Sequence, residues 1–396
     1  MNRKQFILVL AALAVIGGAG LVLLKHRKES WTVRESKMGD KVLPNFRFND
    51  VAAIHIRGGV ELNVVYTDGL WRVRERGGYA ANYQQIRDLL MKVRDIKVVQ
   101  SETIGPSQLA RVNLEEPGKG IGSGTLLEFK DGRGQVLAAL IAGKRHLRPH
   151  DGSTPFGLKG LFDGCYVLSP DDPKNVLLIS DELASVAAAP EAWLSRDFYK
   201  PENIQTISVA ATNPANCWSL SRETESRPWS LTGGEPGGGG ALDNTIAAQI
   251  AEMLGFLSFV DVVSNTAPSG TGLDQPTLVN ILTFDHFAYT LKIGAKGPAG
   301  NYCMTVAVTA DIPAGRVAGK DEKPEETKEL DKEFQDKTKR LRDKLAKEQA
   351  LAAWIYVADS QMIESLIRDR AQLLEKNTIA SDQSAAAKKV PLTVTQ

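Results

Sequence analysis

Residues 50–56 read DVAAIHI, and residues 203–209 read NIQTISV. Each is a short run in which β-branched and apolar residues alternate with polar ones, the pattern of a half-buried strand. The likeness continues outward from these two stretches. Trp71-Arg72-Val73 matches Trp229-Ser230-Leu231, and the spacing Ile86, Leu89, Leu90, Val93 recurs as Ile250, Met253, Leu254, Leu257. Val98-Val99 then matches Val262-Val263, NLEEP (113–117) matches GLDQP (272–276), and TLLEF (125–129) matches NILTF (280–284). Leu140 and Gly143 recur as Leu291 and Gly294, and Tyr166-Val167 as Tyr356-Val357. Each pair alone is a weak match, but a fixed order of matches is the mark of an internal duplication.

One unit reads as follows. AIHI, VELNVVY and WRVRER are strands, and the 0, 3, 4, 7 spacing at Ile86–Val93 is one face of an amphipathic helix with Asn82 as its N-cap. IKVVQ, TLLEF, QVLAALIAG and the stretch around GCYVLSP are further strands, and a closing helix is expected over about 173–188. Strands joined by short turns give an α+β class: two tandem repeats of an antiparallel sheet with helices on one face. The expected organisation is an anchor over 1–28, a linker over 29–49, repeats over 50–200 and 201–370, and a disordered tail over 371–396.

Phe6 to Leu24 (FILVLAALAVIGGAGLVLL) is 19 residues without a polar side chain. As a helix it would measure about 28 Å at roughly 1.5 Å per residue, close to the hydrocarbon core of a bilayer. Phe6, Leu10, Leu13, Val15, Leu21 and Leu24 would then face lipid. Arg3 and Lys4 precede the stretch; Lys25, Arg27 and Lys28 follow it, so charge barely biases orientation. The short leading tail favours a cytoplasmic N-terminus with the bulk of the chain outside. A cleaved signal peptide is the rival reading, but its apolar core is shorter and ends at a small-x-small site. The resulting expectation is a single-pass inner-membrane protein whose folded part lies on the periplasmic side, in contact with inner-membrane lipid.

Composition narrows the function classes. Among 396 residues, Lys and Arg number 48 against 47 Asp and Glu, so the basic excess that carries nucleic-acid binding is lacking. Three cysteines form no disulfide framework, although Cys217 and Cys303 could pair in an oxidising compartment. The Trp-x-Val element, the amphipathic helix, the GLDQP stretch and the paired strands together resemble the domain-of-unknown-function family 4340. AWLSRDF ahead of NIQTISV (192–209) is similar to that family's lead into its repeat, and the likeness covers roughly 50–370. The resemblance implies a bacterial, N-terminally anchored envelope protein, encoded beside ABC-transporter components of the gliding-motility auxiliary type. It carries no catalytic residue over to this chain. The departure lies at NLEEP, where Gly-Leu-Asp of the second unit is Asn-Leu-Glu.

The second unit also carries a charged insertion within about 311–350. The offset between matched residues grows from 151 at Gly143/Gly294 to 190 at Tyr166/Tyr356, a net gain of 39. Leu330, Phe334, Leu341 and Leu345 make a narrow apolar stripe, and Glu329 with Lys332 and Glu333 with Lys337 are placed to pair along a helix. The bland reading is a solvated helix; the sharper one makes these four apolar residues a partner-binding stripe.

Candidate chemistry is sparse. GKGIGSG (118–124) is glycine-rich but lacks the Lys-Ser/Thr ending and runs into a strand, so it reads as a hairpin approach. GGEPGGGG (233–240) reads as a flexible loop. In RHLRPHDG (145–152), His146, His150 and Asp151 could ligate a metal on a helix, but Pro149 and Gly152 favour a basic surface loop. Trp71 and Trp229 read as core, with sugar stacking the alternative. No nucleophile–base–orienter set is legible, and no cofactor is expected. The leading functional expectation is a periplasmic binding or scaffold protein, accessory to an ABC-transporter-type complex. A cell-wall or glycan-binding module and a metal-dependent hydrolase are the alternatives.

Overall fold

The computed structural model describes residues 31–34, 38–148, 161–181, 183, 186, 188–232, 240–263, 270–317 and 322–375. The chain forms two compact units, one ending at Ser195 and the next beginning at Arg196. Both are α+β, and all their strand pairings are antiparallel.

The first unit holds β1 (Trp31–Arg34), β2 (Ala53–Arg57), β3 (Glu61–Thr67), β4 (Leu70–Val73), β5 (Tyr79–Ala80), α1 (Tyr83–Asp95), β6 (Val98–Ile104), β7 (Thr125–Lys130), β8 (Val136–Arg148), β9 (Leu161–Leu168) and β10 (Asn175–Ile179). They lie in the order β1-β6-β10-β9-β8-β7-β2-β3-β4-β5. Asp68 and Gly69, both with positive φ, turn β3 into β4, as a two-residue hairpin demands. The Asn82 side chain accepts from the Gln85 backbone N–H and starts α1, whose face of Ile86, Leu89, Leu90 and Val93 is buried. A 13-residue helix is marginal alone, so burial of that face is what holds it.

The second unit holds β11 (Ile204–Ala210), β12 (Trp218–Ser221), β13 (Ser230–Thr232), α2 (Asn244–Gly255), β14 (Asp261–Val263), β15 (Thr277–Thr283), β16 (Phe287–Lys296), β17 (Tyr302–Ala310), α3 (Pro324–Gln349), β18 (Ile355–Ala358) and α4 (Ser360–Leu366). Its order is β13-β12-β11-β15-β16-β17-β18-β14. Without β1 and β5, the first sheet read from its other end is β4-β3-β2-β7-β8-β9-β10-β6, so each strand has a counterpart in the same place. The likeness reaches the closing turns. Pro190–Trp193 and Arg370–Leu373 are both 3-10 turns, and each leads into a bridge, Ala81 to Leu194 and Leu242 to Leu374.

The register corrects two of the sequence matches. Phe129 sits opposite Ile54, and Ile281 sits opposite Ile207. The counterpart of TLLEF is therefore TLVNI (277–281), three residues before the NILTF stretch. A shift by an odd number exchanges the two faces of a strand, so only one of the frames keeps buried residues aligned. Tyr166 lies on β9, whereas Tyr356 lies on β18, the counterpart of β10. The added length of the second unit thus falls between β17 and β18, where 311–354 replaces the short 169–174 connection.

Further differences have physical causes. Residues 175–179 form β10 and not the start of a helix, because NVLLI is buried between β6 and β9. An apolar run hidden on both faces shows no alternation. In the first unit the cover is also not confined to one face. Leu126 and Leu127 are adjacent on β7 and both buried; Leu126 joins Ile104, Val112, Leu114, Ile141, Leu168 and Val176 in a cluster that includes the 3-10 helix Pro106–Val112. The stretch read as a linker contributes β1 to the edge of β6, and Gly39 and Val42 donate backbone bonds to Val98 and Ile96. Leu373, read as part of the tail, is fully buried.

No helix among the described residues is long and apolar enough to cross a membrane. The segment 6–24, with Phe6, Leu10, Leu13, Val15, Leu21 and Leu24, lies outside the described residues, as does 376–396.

Gly143 and Gly294 occupy equivalent places just where β8 and β16 lose register with the next strand. A Cβ on Gly143 would lie 2.4 Å from the Val112 carbonyl oxygen, and one on Gly294 would lie 2.1 Å from that of Thr271. Backbone crosses backbone there, so Gly143→Ala and Gly294→Ala should each cost about 2–3 kcal/mol in urea unfolding. Gly59→Ala, with nothing within 4 Å of its Cβ, should change stability by under about 0.5 kcal/mol. Equal midpoints for all three variants would refute the crossing as a packing constraint.

Candidate functional site

The described part of the insertion contains one helix, α3, of 26 residues. Pro324 opens it, Glu325 and Glu326 lie in its first turn and Lys347 in its last, as the helix dipole favours. Of the predicted stripe, Leu330 is exposed at 39%, while Phe334, Leu341 and Leu345 are half-buried. Thr338 and Glu348 lie on the same face by spacing and are buried. The inward face is therefore wider than its apolar residues suggest.

Polar groups fasten the C-terminal half of α3 to its own unit. The Tyr289 hydroxyl donates to Glu348 Oε2 at 2.9 Å, and the Lys200 backbone N–H donates to Glu348 Oε1 at 3.1 Å. Lys344 Nζ donates to the Lys200 carbonyl at 2.7 Å and to Glu202 Oε2 at 2.8 Å, and lies 5.3 Å from the centre of the Phe287 ring. Lys337 Nζ lies 2.8 Å from Asp285 Oδ1, so its partner is across the unit and not Glu333 on its own helix. At the other end, Arg316 holds Glu322 and Asp331.

Burial pushes the Glu348 carboxyl above its ordinary range, although Lys200 and Tyr289 pull the other way. Burial and the nearby Glu348 charge push the Tyr289 phenol far up, which keeps it a donor. The hydrogen bond from Lys337 holds Asp285 below the usual carboxylate range, against some burial, with Asn203 assisting. Glu348, Lys344 and Thr338 were missed in the sequence because charged and polar residues hide in a charged helix. The only usable signal was spacing, since Thr338, Leu341, Leu345 and Glu348 continue the stripe at intervals of three and four.

A second polar region lies on the first sheet. His55 on β2 reaches Glu128 on β7 at 2.8 Å through Nδ1 and Glu61 on β3 at 2.9 Å through Nε2. Burial works to raise the Glu128 carboxyl, but hydrogen bonds from His55 and Lys130 outweigh it and hold the group low. Glu128 also borders a cleft of about 580 Å³ with Arg57, Glu115 and Lys119 at its rim and Leu109, Leu114, Leu126 and Ile141 within. Its size suits a small ligand. The 118–124 loop forms part of this rim and leads into β7, so no helix N-terminus stands behind it.

The remaining candidates are dispersed. His146 pairs with Asp163 through Nδ1, and its ring meets Tyr166 edge-on at 5.7 Å. His150 and Asp151 lie outside the described residues, as does 233–239 of the glycine-rich loop. No group of three or more His, Cys, Asp or Glu side chains fit to hold a metal occurs among the described residues. Cys165, Cys217 and Cys303 are not in disulfides, and burial pushes the Cys303 thiol up. Trp229 is buried, with the Arg222 guanidinium 4.7 Å from its ring; Trp71 is half-buried against the exposed Tyr66 at 5.5 Å.

The family model described as domain of unknown function DUF4340 matches residues 71–276, more than half of the chain. The chain belongs to the DUF4340 family. The DUF4340 match begins at Trp71 in the first unit and ends at Pro276 in the second, so it spans the junction between them. No curated protein matches the chain, and no solved structure does.

In this DUF4340 protein the Glu348 anchor can be tested directly. Glu348→Ala leaves the Tyr289 hydroxyl and Lys200 N–H without their acceptor and should cost about 2–4 kcal/mol. Glu348→Gln can accept from Lys200 through its oxygen and donate to the Tyr289 oxygen, so it should keep the helix docked. Because the folded carboxyl has a raised pKa, its charged form is the disfavoured one. Glu348→Gln should therefore gain on the wild type above that pKa, and the gap should close as pH falls through it. Equilibrium unfolding at several pH values checks this; equal losses for both variants would remove the assigned role.

Proposed function

We propose that this protein is a membrane-tethered binding and scaffold protein, and not an enzyme, acting outside the cytoplasm as an accessory subunit of an ABC-transporter-type envelope complex. Its tether is the apolar stretch Phe6–Leu24, long enough as a helix for one bilayer crossing. The observation that carries the binding role is α3. It has no counterpart between β9 and β10, Glu348, Lys344 and Lys337 fasten its C-terminal half while Arg316 holds Asp331 near its start, and Leu330 is left exposed. A helix already held in place presents its exposed face with little ordering cost on binding, which is what a docking surface requires. The occupant is a membrane-embedded transporter subunit. The tether would hold both proteins in one bilayer and raise their effective concentration.

The experiment is a photo-reactive residue at Leu330 in the full chain, activated in native membranes. A cross-link to a transporter-type membrane subunit is expected, with Leu330→Asp weakening detergent co-purification about tenfold. Recovery of the chain alone, with no adduct, would overturn the proposal.

A second reading, a glycan-binding module, draws on the Tyr66–Trp71 pair, since Tyr66 is 52% exposed at a hairpin tip. Retention on purified cell-wall polysaccharide that Trp71→Ala abolishes would favour it over the scaffold reading.

A further inference from the structure

The hairpin β8–β9 is longer than its counterpart. β16 and β17 are joined by 297–301, whereas β8 runs five residues past Gly143, through Lys-Arg-His-Leu-Arg, before the chain returns in β9. The ladder continues along this extension: Arg145 faces Cys165, His146 faces Gly164 and Leu147 faces Phe162. The extension is thus a paired arm of the first unit, and no part of the insertion in the second.

Its composition is uncommon for a solvated hairpin. Leu147 is 51% exposed and Phe162 36% exposed, and they are cross-strand neighbours. The Arg145 guanidinium lies 6.0 Å from the centre of the Phe162 ring. Beside them is a recess of about 350 Å³ bordered by Arg111, Lys144, Arg145, His146 and Tyr166. Asp163, next to Phe162 on β9, pairs with His146. An apolar pair beside Lys and Arg side chains fits a surface that is both anionic and greasy. The cations meet phosphates while the apolar side chains enter the boundary beneath them.

We propose that the β8–β9 arm docks on a bilayer leaflet rich in anionic phospholipid, with Leu147 and Phe162 entering the interface and Arg111, Lys144 and Arg145 binding headgroup phosphates. A soluble phosphate would use the cations and leave Leu147 and Phe162 in water. A nucleic acid would be met by a chain whose net charge is only +1. The arm gains from the tether described under the proposed function and in that sense rests on it, yet its chemistry is separate.

The test uses the full chain with Leu147→p-benzoylphenylalanine, mixed with vesicles of phosphatidylcholine alone or with added phosphatidylglycerol. A lipid adduct at position 147 is expected on the anionic vesicles, falling by about an order of magnitude in a Lys144→Glu/Arg145→Glu background. Flotation separates the two ideas. A chain that floats on neutral vesicles but forms no lipid adduct on anionic ones overturns the arm and leaves the tether standing. One that floats on anionic vesicles alone, and loses this on charge reversal, supports the arm and counts against the tether. Failure to float on either overturns both, and an adduct to protein in place of lipid overturns the arm.

Discussion

In each unit a loop crosses a strand at a distance that only a glycine allows. Val112 and Asn113 lie over Gly143, and Thr271 and Gly272 lie over Gly294. The crossing coincides with the place where the strand slips register against its neighbour, so a bulge and a close backbone approach occupy one spot. The same geometry explains the departure at NLEEP. Asn113 and Gly272 both have positive φ, and asparagine is the side chain that tolerates this region best after glycine. Asn-Leu-Glu and Gly-Leu-Asp are two solutions to one backbone requirement.

From that shared frame the units diverge at their connections. The first lengthens the β8–β9 hairpin into a basic arm; the second lengthens the β17–β18 connection into α3. Both additions leave the strand order unchanged. Connections run over the surface, so they accept added chain at low cost while the sheet cannot. The features with most to offer a partner or a lipid surface are thus the ones the duplication did not copy.

Much of the frame was legible in the residues. Alternation marked β2, β3 and β11, the 0, 3, 4, 7 spacing marked α1, and Asn82 marked its start. The order of matched segments pointed to the duplication, and Trp-x-Val with its following helix pointed to the family that the comparison shows. What escaped had physical reasons. NVLLI is buried on both faces and so lost the alternation that identifies strands. TLVNI and NILTF are both strand-like, and only pairing with Ile207 decides between them. Glu348 looked like one more charge on a charged helix, because its partners Tyr289 and Lys200 are remote in sequence.

Local periodicity and turn chemistry, both properties of neighbouring residues, determined which segments are strands and helices, where α1 begins, and that the pattern occurs twice. Strand register, the second covered face of the first sheet, the docking of α3 and the pairing of Leu147 with Phe162 were decided by tertiary structure. Each depends on groups far apart in the chain, whose distances no local pattern encodes.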